Sequence, residues 1–198
     1  MSTAAEQGRA VRRRLLRAAA ELIAERGWRA VSTRVLAERA GVAPGVVHYH
    51  FTSVQALLTE AAIGAMRDVV DGLGPVLDRA RTPAEAVDLL LASLDDYTGN
   101  DPASLLFTEA YLAATRDAEL RQAVGGVVVD FRRKLAGWLG EHGVRTPEET
   151  AAVLAAAIDG FLLHRALEPS LSAATVAPVL RRILAPPQFR GRTQRKGR

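Results

Sequence analysis

Ser32, Thr33 and Arg34 are followed, ten to sixteen residues after the arginine, by Pro44, Gly45, Val46, His48, Tyr49 and His50. Hydroxyls and a guanidinium at a helix start can hold phosphate oxygens, helped by backbone amides that have no partner in the first turn. Gly45 lets backbone come close to another surface, and the methyls of Val46 suit a thymine methyl group. His48 and His50 can donate to base acceptors or to phosphate, and the Tyr49 hydroxyl can reach phosphate. For both histidines the alternative is packing, with one ring nitrogen satisfied inside the fold. They cannot share a metal ion while helical, because positions i and i+2 point about 200° apart.

The elements that must position these groups are legible around them. Ser32 is a good N-cap for a first short helix in which Leu36 and Ala40 form an inner stripe, with Val35 beside it. Gly41 stands where a helix favours a left-handed residue, and Pro44 suits the first position of the next helix. In that second helix Val47 and Phe51 pack inward, leaving Gly45, Val46, His48 and Tyr49 outside. Two short helices around a tight turn form a helix-turn-helix, which places its second helix in the major groove of DNA. A helix of about seven residues does not survive alone in water. The preceding amphipathic segment, with Leu15, Leu16, Ala19, Leu22 and Ile23, must hold it. That segment carries Arg9, Arg12, Arg13, Arg14 and Arg17 and ends at Gly27; beside a recognition helix these arginines are read as phosphate contacts, Arg12 foremost, rather than as a merely solvated face.

Charge is polarised along the chain. Residues 1–50 carry nine arginines and four glutamates, residues 51–189 carry twelve basic and eighteen acidic groups, and the last nine residues add five basic ones. A basic head thus precedes an acidic body unsuited to DNA. With 198 residues, 48% of them hydrophobic, there is ample core for one domain or two small ones. The absence of cysteine excludes disulfides, thiolate metal sites and a thiol nucleophile. No apolar run reaches the roughly 20 residues needed to span a bilayer. The amino end lacks the apolar core of a signal peptide, so a cytoplasmic protein without membrane contact is expected.

Residues 10–64 resemble the DNA-binding head of the TetR family of bacterial regulators. The resemblance rests on Ala24-Glu25-Arg26-Gly27-Trp28, Leu36-Ala37-Glu38-Arg39-Ala40-Gly41-Val42, Val46-Val47-His48-Tyr49-His50-Phe51 and Phe51-Thr52-Ser53-Val54-Gln55-Ala56-Leu57-Leu58, in order and at family spacing. It implies a homodimer that binds a palindromic double-stranded operator and answers to a small-molecule effector, without a cofactor, a metal or a catalytic residue. Three positions depart from the family pattern. Ala43 replaces the hydroxyl residue that caps the recognition helix, a loss of about 1 kcal/mol. His48 replaces a tyrosine. Val54 replaces a lysine that resembles a phosphate contact, which leaves one fewer charge per subunit for the DNA backbone.

Downstream the chain reads as helix after helix. One runs from about Ser53 to Asp71 and stops at Gly72-Leu73-Gly74-Pro75; others start at Thr82-Pro83, after the turn Gly99-Asn100-Asp101-Pro102, over about 118–141 with Gly125-Gly126 as a potential kink, at Thr146-Pro147, and over about Thr175–Leu184. The expected architecture is all-α, about nine helices: a three-helix head over residues 1–52, a helical ligand-binding and dimerisation body over 53–185 and a disordered basic tail over 186–198. The segment 151–167 is apolar around most of its circumference, hence either central or shared with a partner. With the family resemblance this assigns Leu154, Ile158, Phe161, Leu162, Arg165, Val179 and Ile183 to a dimer interface. The same resemblance puts a ligand pocket in the body, with Met66, Leu90, Leu94, Phe107, Tyr111, Phe131, Trp138 and Phe161 as candidate lining for an apolar ligand, and Tyr97, Asp159 and His164 as polar anchors. Two rivals are weighed. An enzyme lacks support, for there is no phosphate loop, metal spacing or nucleophile triad. A sequence-blind architectural DNA binder would use the same head without an effector.

Overall fold

The structure is a computed structural model and describes residues 4–184. The tail expected over 186–198 lies outside the described residues. Those residues form α1 (Ala4–Arg26), a 3-10 turn (Trp28–Ala30), α2 (Thr33–Ala40), α3 (Pro44–His50), α4 (Val54–Leu77), α5 (Pro83–Ala92), α6 (Pro102–Ala114), α7 (Ala118–Glu141), α8 (Pro147–Arg165) and α9 (Ala173–Leu184), with no strand among them.

Side-chain caps set most of the helix starts. Ser53 accepts from the Ala56 amide at 3.0 Å, Thr82 from Glu85 at 3.2 Å and Asp117 from Leu120 at 2.9 Å. Asp101, read from sequence as one residue of a turn, accepts from both Ala103 and Ser104 and is the cap of α6. Thr146 begins α8 without a side-chain cap bond, and Pro147 stands in its first turn.

Two hydrophobic cores result. The first joins α1, α2, α3 and the opening half of α4 to Leu106, Ala110 and Ala114 of α6 and Leu120, Val124 and Val127 of α7. The second gathers Leu77, Val87, Leu90 and Leu91 with Leu135 and Leu139 of α7, Leu154 and Phe161 of α8, and Leu180 of α9. The head therefore shares its core with α6 and α7.

α4 differs from expectation. It does not stop at Asp71 but continues through Gly72, Gly74 and Pro75 to Leu77. Local propensity argues for a break there. Burial of Leu77, with Leu73 and Val76 packed on the second core, overrides it. The helix resumes its bonding at once, Asp78 N–H donating to the Gly74 carbonyl at 3.0 Å. The glycine pair in α7 does not interrupt that helix either, and α9 starts at Ala173, slightly earlier than expected, and carries Pro178 inside it.

The link before α6 is anchored on the end of α8. Gly99 adopts φ +84°, and a Cβ added there would lie 2.5 Å from the Ala166 nitrogen. The Arg165 guanidinium donates to the carbonyls of Leu94 at 3.2 Å and Tyr97 at 3.1 Å, and Asn100 donates to the Ala166 carbonyl. Gly99→Ala is expected to lower the unfolding midpoint, since left-handed backbone costs a residue with a Cβ about 1–2 kcal/mol and the overlap with Ala166 adds to it. Gly143→Ala meets the same backbone penalty (φ +77°) in open space. Urea denaturation of both variants measures the difference; equal losses would show that the Ala166 contact relaxes freely.

Candidate nucleic-acid interface

α2 opens on Ser32, whose hydroxyl accepts from Val35 at 3.4 Å. It closes on Gly41 at φ 63°, with Val42 N–H donating to the Ala37 carbonyl and Gly41 N–H to that of Glu38. This paired C-terminal bonding fixes the direction in which the chain leaves. α3 follows after two residues. It has Pro44 in its first turn and no side-chain cap from Ala43. Within α3 only Val47 is fully buried, and Phe51 just beyond it is buried too.

The opposite side of α3 is open. Tyr49 is 84% exposed, and Pro44, Gly45 and His48 are exposed as well. Val46 and His50 are half-buried at the edge, and the rings of Tyr49 and His50 meet edge to face at 5.0 Å. Ser32 and Arg34 are exposed at the start of α2, with Thr33 half-buried between them. The residues read from sequence as DNA contacts on α2 and α3 thus lie on the open side of this small unit.

Arg12 is the exception. Its guanidinium is engaged by a half-exposed carboxylate: one nitrogen bonds Glu60 Oε2 at 2.6 Å and the other bonds Oε1. The same group lies 4.7 Å from the centre of the Phe51 ring. It fastens α1 to α4 and to the end of α3, and so helps to seat the recognition helix. Arg9, Arg13, Arg14 and Arg17 are exposed along α1. Arg39 braces α2 against α1 through Glu25 at 2.6 Å and Glu21 at 3.2 Å. Val54, where the resembled family has lysine, packs partly buried against the first core.

Sequence reading missed a polar relay between head and body. The buried Trp28 donates its ring N–H to Gln55 Oε1 at 3.2 Å, and Gln55 in turn donates to Asp117 Oδ2 at 3.0 Å. The Trp28 backbone N–H donates to Glu109 Oε2 of α6 at 2.8 Å. The long sequence separations hid these partners, although Gly27 just ahead of Trp28 marks the corner they brace.

The expected pocket residues do not converge on one chamber. Met66 lies in the first core with Phe107 packed on it, whereas Leu90 and Phe161 belong to the second, with Phe131 and Trp138 against it. Leu94 is buried near the end of α5. Trp138 stacks on His142 at 3.7 Å. Six of these side chains thus lie in or against one or other of the two cores. A cavity of about 410 Å³ lies elsewhere, in a half-open groove between α4 and α7.

The residues expected at a dimer interface differ in exposure. Leu154 and Phe161 are buried within their own subunit, Ile158 and Leu162 are half-buried, and Arg165 is half-buried and holds the α5–α6 link. The large apolar side chains that α8 leaves in solvent are Val153 (50%) and Leu163 (54%), with Leu167 (84%) in the turn just beyond it, and α9 leaves Val179 and Ile183.

Tyr111 and Asp159 join α6 to α8, the phenol donating to Asp159 Oδ2 at 3.3 Å. Protein crowds both groups although water still reaches them. That burial pushes the Tyr111 hydroxyl far up, so it stays a donor. It also raises the Asp159 carboxyl above its ordinary value, against the opposing effect of the tyrosine bond. A carboxyl raised by folding destabilises the fold only when ionised. The penalty is absent below the unfolded value near 4 and full above the folded one. Asp159→Asn is therefore expected to raise the urea midpoint at pH 7 relative to the parent chain, with the advantage disappearing as pH falls below about 4. Parallel titrations at several pH values check this; an offset independent of pH would refute it.

Residues 15–61 match the sequence profile described as bacterial regulatory proteins, tetR family, and residues 81–186 match that of the tetracyclin repressor-like C-terminal domain. The HTH-type transcriptional repressor KstR2 of Mycobacterium tuberculosis is 35% identical over 86 residues, covering 40% of this chain and 43% of its own. The crystal structure of SCO7518 from Streptomyces coelicolor A3(2) superposes with a TM-score of 0.74 at 30% identity, covering 89% of this chain and 99% of the other. The multidrug binding protein EbrR, crystallised with malachite green, superposes with a TM-score of 0.64 at 25% identity, covering 88% and 98%. With a helix-turn-helix head, an all-helical body and profiles matching both halves, the chain belongs to the TetR family of bacterial transcriptional regulators.

Proposed function

We propose that this regulator is a repressor that binds a palindromic operator as a homodimer and is released by a small ligand held in its body. The observation that carries the reading is the open face of α3, where Tyr49, His48 and Gly45 stand exposed on a helix fixed from behind by Val47, Phe51 and Arg12. Val46 and the two histidines would read base edges, while Ser32, Thr33, Arg34, Pro44 and Tyr49 would touch the backbone. KstR2 is named a repressor, which supports the repressor reading, and EbrR was crystallised with a bound dye, which supports the ligand reading.

Dimerisation is supported by the exposed stripe on α8 and α9. Val153 and Gly160 lie seven residues apart on α8, with Leu163 near them, Leu167 in the turn just beyond the helix, and Val179 and Ile183 on α9. Gly160 would allow two copies of α8 to approach closely. A symmetric pair sets its recognition helices about 34–36 Å apart, one turn of the duplex. A ligand that favours a different head spacing must bind that conformer roughly 10⁴-fold better to turn a 1:99 balance into 99:1.

The test is selection of genomic fragments by the purified chain, followed by competition with unrelated DNA. An inverted repeat preferred by about 10³-fold or more is expected, and Leu163→Glu should give monomers that lose this preference. Equal binding to all DNA would favour an architectural role, and a Leu163→Glu chain that stayed dimeric would move the interface to another face.

A further inference from the structure

The groove between α4 and α7 is lined by Arg67, Val70 and Asp71 on one side and by Val127, Asp130, Arg133 and Lys134 on the other. Its about 410 Å³ falls within the usual range for small-molecule sites, about 300–1,000 Å³. The floor is apolar: Val127 is buried in the first core and Val70 packs against it. The rim is ionic, and its charges do not cancel. Asp71 is engaged by Lys134 across the groove at 2.7 Å, and Asp130 by Arg133 on the same helix at 2.9 Å. That leaves Arg67, which is exposed and has no hydrogen bond or ion pair among the described residues.

We infer that this groove is the effector site of the protein and that it takes an amphipathic carboxylate, its apolar body on Val70 and Val127 and its head on Arg67. This deepens the ligand-release reading above and rests on it only for the word effector; binding itself stands independently. Charge complementarity selects the class. An organic cation would meet a rim that carries three cations, Arg67, Arg133 and Lys134, against the two carboxylates of Asp71 and Asp130. A neutral ligand would leave the guanidinium unused. A guanidinium binds carboxylate through two parallel hydrogen bonds, which fixes direction as well as charge. The position suits an effector, since a body wedged there lies between α4, which enters the head, and α7, whose first turn is tied to the head through Asp117 and Gln55.

Isothermal titration of the full chain with decanoate tests the inference, with acetate and decyltrimethylammonium as comparisons. Decanoate alone is expected to bind. Arg67→Ala, at an exposed position, should weaken it at least tenfold with an unchanged melting profile. Asp71→Asn, which releases Lys134 as a second cation, should tighten it. Three outcomes overturn the site: no decanoate binding, equal binding by Arg67→Ala, or binding of the ammonium compound as tight as that of decanoate. Acetate binding as tightly as decanoate overturns the amphipathic class. If decanoate binds through Arg67 yet leaves affinity for the selected operator unchanged, the groove stands as a carboxylate site and its effector role falls. Operator selection without any decanoate response leaves the regulator reading intact and removes the groove from it.

Discussion

α4 is a single rod embedded in two cores. Leu57, Leu58, Ala62, Ile63 and Met66 are buried with the head, and Leu77 is buried with α5, α7 and α8. Each such side chain contributes about 1.5–3 kcal/mol of burial when large, so neither end can leave its core without heavy loss. A rearrangement of the second core must therefore carry α4 with it, and the head must follow. Continuity through Gly72 and Pro75 is what makes this rod one piece. Had the helix ended at Asp71, the two cores would be joined by a loop and would move independently.

The head depends on that rod for its reading surface. α3 has seven residues and one fully buried side chain, too little to form a helix by itself. Its pose comes from packing on α2 and from Val47 and Phe51 buried in the first core, with Arg12 clamped between Glu60 and the Phe51 ring. The relative sizes are informative. A half-exposed ion pair contributes about 0.2–1 kcal/mol and a cation–π contact about 0.5–1, both smaller than burial of the Phe51 ring. Arg12 therefore adds orientation more than stability. It fixes the angle between the end of α3 and the start of α4, the angle that a major-groove reader must hold.

Much of this was readable from residue types, and the failures share a cause. Ser32, Gly41, Pro44, Thr82 and Pro147 act through local backbone chemistry, so they mark the same boundaries in sequence and in structure. The ion pair of Arg12 escapes local reading because its partner lies 48 residues away; an arginine in a basic run shows no local sign of being engaged. The end of α4 was misread because Gly72 and Pro75 speak for the local preference, while Leu77 obeys the core. In α8 the difficulty was composition. Alanine and leucine occur on every side, so periodicity could not separate Leu154, which faces inward, from Leu163, which does not. Residue type also cannot separate core from pocket lining, since large apolar residues fill a core and line a cavity equally well.

Polar links show where such a rod could pivot. α4 is joined to α7 near the head by Gln55 and Asp117, and farther along by Asp71 and Lys134. The first link is shared with Trp28, which is itself held to α6 through Glu109, so α4, α6 and the start of α7 meet at the Trp28 turn. The second link is a solvent-exposed ion pair across a half-open groove. Such a pair is worth little and exchanges partners readily. The corner at Trp28 is thus the stiffer end and the groove the softer one. A displacement that begins at Lys134 and Asp71 would turn α4 about Gln55. Because Ser53 and Phe51 adjoin that pivot, small rotations there would be passed straight to the axis of α3.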